Sequence, residues 1–267
     1  MSIISLGPAQ LALASILVIS LAVISTLQQL GIAKRLLVAA ARTAIQLTMV
    51  GFILKALFET SDLTWITLVA FIMLAIAGRE VMFRQERRFS GVWGFGIGTT
   101  SMFLSSFFIT LLALNFIINP SPWYTPQYAI PMLGMMLGNT MNSISLGLDK
   151  LTHEAWREKG TIEARLVMGH SWQEAILPFR KAALRTSMIP TINAMAAAGL
   201  VSLPGMMTGQ ILAGNPPQTA VQYQILIMFM VTAGAGFGAM LATWLGAKRL
   251  FDERHRLRLD RLHPPPS

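Results

Sequence analysis

Asn139, Asn142 and Ser143 lie in a stretch with no charged residue, Phe89 to Leu148, and Asn193 lies in a second, Thr186 to Ala247. Amide and hydroxyl oxygens of this kind can ligate a cation stripped of its water, and Met132, Met135, Met136, Met141, Met206 and Met207 add soft thioethers nearby in sequence. Ser202, Leu203, Pro204, Gly205 and Met206 place a proline beside a glycine. A helix broken there frees backbone carbonyls, which are further cation ligands. Arg42 and Gln46, four residues apart, share one face of a helix. Each group also has a plainer use: the asparagines as hydrogen-bond glue between helices, the methionines as adaptable packing, Arg42 as a side chain snorkelling to the surface, and the prolines as simple kinks. Neither long stretch contains Asp, Glu or His, and the chain has no Cys, so acid–base or nucleophilic catalysis lacks its groups. The chemistry on offer is binding and passage, not bond-making, and no metal ligand set is assigned.

Such residues need elements that span a membrane. Of the 267 residues 54% are hydrophobic and 12% charged, about half the charged share of a soluble domain. Each of the two charge-free stretches exceeds twice the roughly 20 residues that one crossing needs. The expectation is an all-α polytopic transmembrane bundle of about seven spans, near 8–28, 36–57, 63–82, 95–118, 129–148, 187–213 and 221–247. Met1 to Gln29 has no basic leader and reads as a retained first span. With this count every basic residue except Lys55 falls on one side, which the positive-inside rule makes cytoplasmic, with the N-terminus outside and the C-terminus inside. The net charge of +9 is therefore banded between spans, and argues for a lipid membrane as partner and against nucleic acid. Four G-x-x-x-G pairs, at Gly94, Gly134, Gly205 and Gly234, predict close helix packing or a homodimer.

The domain expectation is a membrane domain over 1–250, with a cytoplasmic hairpin at about 149–186, and a basic, proline-ended tail over 251–267 lying along anionic headgroups. Within the hairpin, Glu163 and Ala164 lie near the end of one helix and Gly169 is its left-handed terminator. Ser171 and Glu174 form the capping box of a second helix, which is expected to end at Leu177 and Pro178. An amphipathic connector lying on the inner leaflet has the same pattern. No G-x-x-x-x-G-K-[ST] phosphate loop occurs, so the chain does not cradle ATP by that means.

The hairpin resembles the coupling loop of ABC-transporter permeases in Glu163, Ala164, Gly169, Leu177 and Pro178, with Arg165 in place of a third alanine and a shorter spacing than in importers. The strings P-M-L-G-M-M-L-G-N-T-M-N (Pro131 to Asn142), A-I-L-P before Phe179, G-L-V-S-L-P-G-M-M-T-G-Q-I-L-A-G (Gly199 to Gly214) and Q-Y-Q-I (Gln222 to Ile225) resemble the iron-export ABC permeases of the FetB type. That family also includes plant proteins tied to aluminium tolerance, and some plant relatives are linked with nucleotide sugars. The resemblance implies a non-enzymatic permease subunit of the bacterial inner membrane, acting in metal homeostasis. It also implies a separate ABC ATP-binding subunit that holds ATP and Mg, docked on the hairpin, and iron as the exported cargo. Another metal or a nucleotide sugar, and a non-transporting scaffold or receptor, are the alternatives.

Overall fold

The computed structural model describes residues 7–60 and 62–263. Among these the regular structure is helical, and β-pairing is confined to isolated bridges. The chain divides into two compact units, Met1–Asp62 with Leu212–Asn215, and Leu63–Ile211 with Pro216–Ser267.

In the first unit, α1 (Pro8–Leu27) and α2 (Ala33–Thr60) pack on each other. Pro8 opens α1 because the first helical residue needs no amide donor and proline already has a helical φ. Gln29 and Gly31, both with positive φ, turn the chain between the helices. Leu13, Leu17, Ile45 and Phe52 stand exposed, as lipid-facing side chains do.

In the second unit, α3 (Leu63–Phe83) is followed by a long helix built of α4 (Val92–Met102), a π-helical turn (Phe103–Phe107), α5 (Phe108–Leu112) and a second π turn (Ala113–Ile118). Then come α6 (Pro126–Arg157), α7 (Lys159–Val167), α8 (Trp172–Ala197), α9 (Gly205–Leu212) and α10 (Pro217–Arg249). The central helix is α6, which packs against α3, α4, α8 and α10. Its Leu133, Leu137, Ile144, Leu148, Leu151 and Ala155 recur at helical spacing and join Val81, Met102 and Ala242 in one core. A second core unites Ile109, Leu114, Met132, Met136, Ile227 and Met230. Missing side chains let these helices close up: a Cβ at Gly98 would lie 2.8 Å from Val81, and one at Gly238 would lie 2.6 Å from Thr140 and 2.9 Å from Ser105. The pair Gly205 and Gly209 has no such neighbour within 4 Å.

Among the described residues five helices are long and apolar enough to cross a membrane: Pro8–Leu27, Ala33–Glu59, Leu63–Phe83, Val92–Ile118 and Pro217–Arg249. The protein is thus an all-α, multi-pass membrane bundle. The other two expected spans, 129–148 and 187–213, fall on α6 and on the α8–α9 pair, which are not among these five. The physical reason is that α6 is enclosed by other helices and needs no apolar exterior, while the span expected over 187–213 is broken in two.

Two boundaries differ from the expectation. The hairpin's second helix does not stop at Pro178; α8 runs unbroken from Trp172 through Pro178 and Pro190 to Ala197. Burial of Ala175, Ile176 and Ala183 holds it together despite the amide that each proline removes. Nor is 251–263 a loose tail. Leu262 is buried, Phe89 and Leu262 are bridged, and the Ser90 and His263 amides donate to the Arg261 and Arg88 carbonyls at 2.8 Å. The remainder of the expected tail, 264–267, lies outside the described residues.

Candidate functional site

Where α6, α8, α9 and α10 meet, a cavity of about 240 Å³ opens. From α6 come Met135, Asn139, Asn142 and Ser143, Pro204 comes from the break ahead of α9, and Gly205 and Met206 come from the start of α9. The remaining wall is Pro190, Thr191 and Ala194 of α8 and Gln224, Ile227, Met228 and Val231 of α10. Seven of the residues singled out in sequence thus share one cavity: Met135, Asn139, Asn142, Ser143, Pro204, Gly205 and Met206. The others stand elsewhere. Asn193 is exposed on α8 outside the lining, Ser202 lies in the break, and Arg42 and Gln46 are exposed on α2 in the first unit.

The break has a definite form. Helix α8 ends at Ala198 in extended backbone, Gly199 adopts φ +83°, and the Ser202 amide folds back to the Ala197 carbonyl at 3.1 Å. Pro204 then precedes α9, which cannot continue α8 across a residue lacking N–H. Pro190, by contrast, sits within a continuous helix; it leaves the Thr186 carbonyl without its usual donor.

The polar groups of the cavity are unequally committed. Asn142 accepts from the Arg84 guanidinium through Oδ1, so that oxygen is already facing a cation. Asn139 donates its amide to the Met135 carbonyl at 2.8 Å, and its own Oδ1 accepts nothing from the described residues. Gln224 was not singled out in sequence. It is 8% exposed, and its Oε1 has no hydrogen-bond partner among the described residues. A buried amide oxygen left unpaired costs about 1–3 kcal/mol, a penalty that a bound cation or its water relieves. The signal was present, since glutamine within a span-length apolar helix is itself an anomaly. Among the described residues no three His, Cys, Asp or Glu side chains gather as a metal cluster, so the donors at this cavity are amide, hydroxyl, carbonyl and thioether.

The expected coupling residues occupy the other notable region. Gly169 ends the α7 segment with φ +92°, and Ser171 Oγ accepts from the Glu174 amide while Glu174 accepts from the Ser171 amide at 2.8 Å. That backbone donor, then the Ser171 hydroxyl, holds the Glu174 carboxyl below the usual carboxylate range. The hairpin is fixed to the bundle from beneath by Ile162, Ala175 and Ile176, all buried. Its tip is the reverse: Val167 is 89% and Met168 69% exposed. Glu163, Ala164, Leu177 and Pro178 are also exposed.

With this geometry in place, comparison with known proteins is informative. Residues 8–251 match the model of the family described as "Uncharacterised protein family (UPF0014)". A UPF0014 membrane protein of Synechocystis is 38% identical, covering 86% of this chain and 88% of its own. The Escherichia coli protein named "Probable iron export permease protein FetB" is 31% identical, covering 92% and 93%. The Arabidopsis thaliana protein ALUMINUM SENSITIVE 3 is 30% identical, covering 91% and 88%. No solved structure matches.

Proposed function

Because this chain belongs to the UPF0014 family of membrane proteins, we propose that it is the permease subunit of an ATP-driven exporter whose cargo is a metal ion, iron first among them. The observation that carries this reading is the cavity with its uncommitted oxygens, Gln224 Oε1 and Asn139 Oδ1, beside the thioethers of Met135 and Met206. Size favours a small cargo. A volume of about 240 Å³ is below the roughly 300–1,000 Å³ of pockets that enclose drug-sized ligands. It equals the liquid share of roughly eight waters, enough for an ion with part of its shell. That volume supports an ion as cargo over a nucleotide sugar.

A separate ABC ATP-binding subunit, holding ATP and Mg, supplies the energy. It docks on the α7–α8 tip, where Val167 and Met168 offer an apolar knob. Because α8 is one rigid helix from that tip to the Ala198 break, a push at Gly169 is delivered to the cavity wall at Pro190, Thr191 and Pro204. The break then switches facing, as alternating access requires. In this reading two copies form the pathway, seven spans place the N-terminus outside and the hairpin and C-terminus in the cytoplasm, and the membrane is the bacterial inner membrane.

The test is transport of Fe(II) into inside-out vesicles containing this chain and its co-expressed ATPase. ATP-dependent uptake is expected, falling at least tenfold in Gln224→Leu. Uptake that ignores both ATP and Gln224 refutes the proposal.

A further inference from the structure

A cavity of about 660 Å³ lies at the end of α10, away from the cavity lined by Asn139 and Gln224. It is built by the ordered tail. Leu250 and Phe251 are buried, the chain reverses through a Phe251–Leu257 bridge, and Arg258 donates its amide to the Leu250 carbonyl at 2.7 Å. Asp252 ties the turn, its Oδ1 accepting from the Arg254 and Arg256 amides at 2.9 Å. Arg261 closes it, donating from Nη1 to the carbonyls of Arg249 and Phe251 at 2.8 and 3.1 Å.

The charges of this cavity do not cancel. Asp252 is taken by the Arg256 guanidinium at 2.8 Å, and Asp260 is taken by Arg258 in a two-pronged pair. Lys248, Arg249, Arg254 and Arg261 remain without a carboxylate partner among the described residues, against the single carboxylate of Glu253. Such a surplus of positive charge at the end of α10 attracts an anion. Two tryptophans set its depth: the Arg249 guanidinium lies 4.7 Å from the Trp93 ring centre, and the Lys248 ammonium 5.5 Å from that of Trp244. Both rings are exposed, as interfacial tryptophans are at the level of lipid headgroups.

We propose that this cavity binds a phosphate-bearing anion, and that the phosphate is supplied by the headgroup of an anionic phospholipid. Arginine's planar fork matches phosphate oxygens, and basic pockets at the cytoplasmic ends of helices are where such headgroups are held. The tail is therefore a lipid clasp, built to seat one headgroup, and not a diffuse basic patch.

The test uses the full chain purified in neutral detergent and stripped of lipid. Retained adducts are measured by native mass spectrometry with dioleoyl phosphatidylglycerol, dioleoyl phosphatidylcholine or inorganic phosphate as probe. Phosphatidylglycerol is expected to bind at least tenfold more tightly than phosphatidylcholine. Each basic residue near the headgroup is worth about a five-fold factor, so Arg249→Gln with Arg254→Gln loses roughly thirty-fold. Lys34→Gln with Arg35→Gln, which removes exposed charge from α2, changes binding by less than about two-fold. Exchange protection of the Ser90 and His263 amides reports whether the clasp stays folded; where it does not, Arg254→Gln alone is used, with about a five-fold loss expected. Inorganic phosphate binding in place of phosphatidylglycerol overturns the lipid assignment. Equal binding of the two lipids, or equal losses in both double variants, overturns the site.

Discussion

Glycine at 238 should be irreplaceable while glycine at 209 is not, although both belong to G-x-x-x-G pairs. A Cβ at Gly238 would meet Thr140 at 2.6 Å, Ser105 at 2.9 Å and Ile144 at 3.2 Å. All three neighbours are buried, on helices that cannot retreat independently. Overpacking a close-packed core costs about 1–3 kcal/mol. Alanine in place of glycine within a helix returns about 0.5–1 kcal/mol. Gly238→Ala should therefore destabilise by about 0.5–2 kcal/mol net. Gly209, within α9, has nothing within 4 Å. Only the propensity gain operates there, so Gly209→Ala is neutral or stabilising by up to about 1 kcal/mol. The assay is reversible unfolding of the purified chain in mixed micelles, followed by helical circular dichroism. The two variants should differ on the order of tenfold in unfolding constant. A Gly238→Ala protein as stable as the parent would refute the packing of α10 on α6 described above.

Gln224→Leu should stabilise the isolated chain, by up to about 1–3 kcal/mol, since it removes a buried oxygen without a partner; a thermal unfolding midpoint lower than the parent's contradicts this. Ser171→Ala removes the hydroxyl that caps α8 and should cost about 1 kcal/mol locally, read as faster exchange of the Glu174 amide. Val167→Asp with Met168→Asp should leave stability unchanged, because both side chains are exposed, yet should reduce recovery of the ATPase in co-purification at least tenfold. Asp252 has its carboxyl lowered from 3.8 to about 2, chiefly by the Arg256 amide. A folded pKa below the unfolded one contributes stability that is complete above the unfolded value and is lost as pH falls through the folded value. The clasp should hold at pH 5 and open between about pH 4 and 2, followed by exchange of the Arg254 and Arg256 amides, and Asp252→Asn should abolish that acid transition.

What was legible in the sequence is what depends on local chemistry. Gly169, Ser171 and Glu174 specify a turn and a cap within a few residues, and the structure has both. Pro204 beside Gly205 located the helix break, and Pro190 makes none, because burial around α8 outweighs one lost hydrogen bond. The length of α6 was hidden because the charges of Asp149, Lys150, Glu154 and Arg157 suggested a connector. The buried series Leu148, Leu151 and Ala155 shows that the helical stripe continues beneath them. The folded tail was hidden likewise, since its arginines mask Leu257, Leu259 and Leu262, which pack on the core. Gln224 stood in the sequence as an amide in an apolar helix, within the Q-Y-Q-I string, but its lack of a partner is a property of the packed state.

The most direct test of the whole account is ATP hydrolysis by this chain co-purified with its ATPase in lipid, with and without Fe(II). The account predicts stimulation by Fe(II) that is lost in Gln224→Leu while basal hydrolysis persists. Hydrolysis indifferent to Fe(II), or a chain that retains no ATPase, would contradict it.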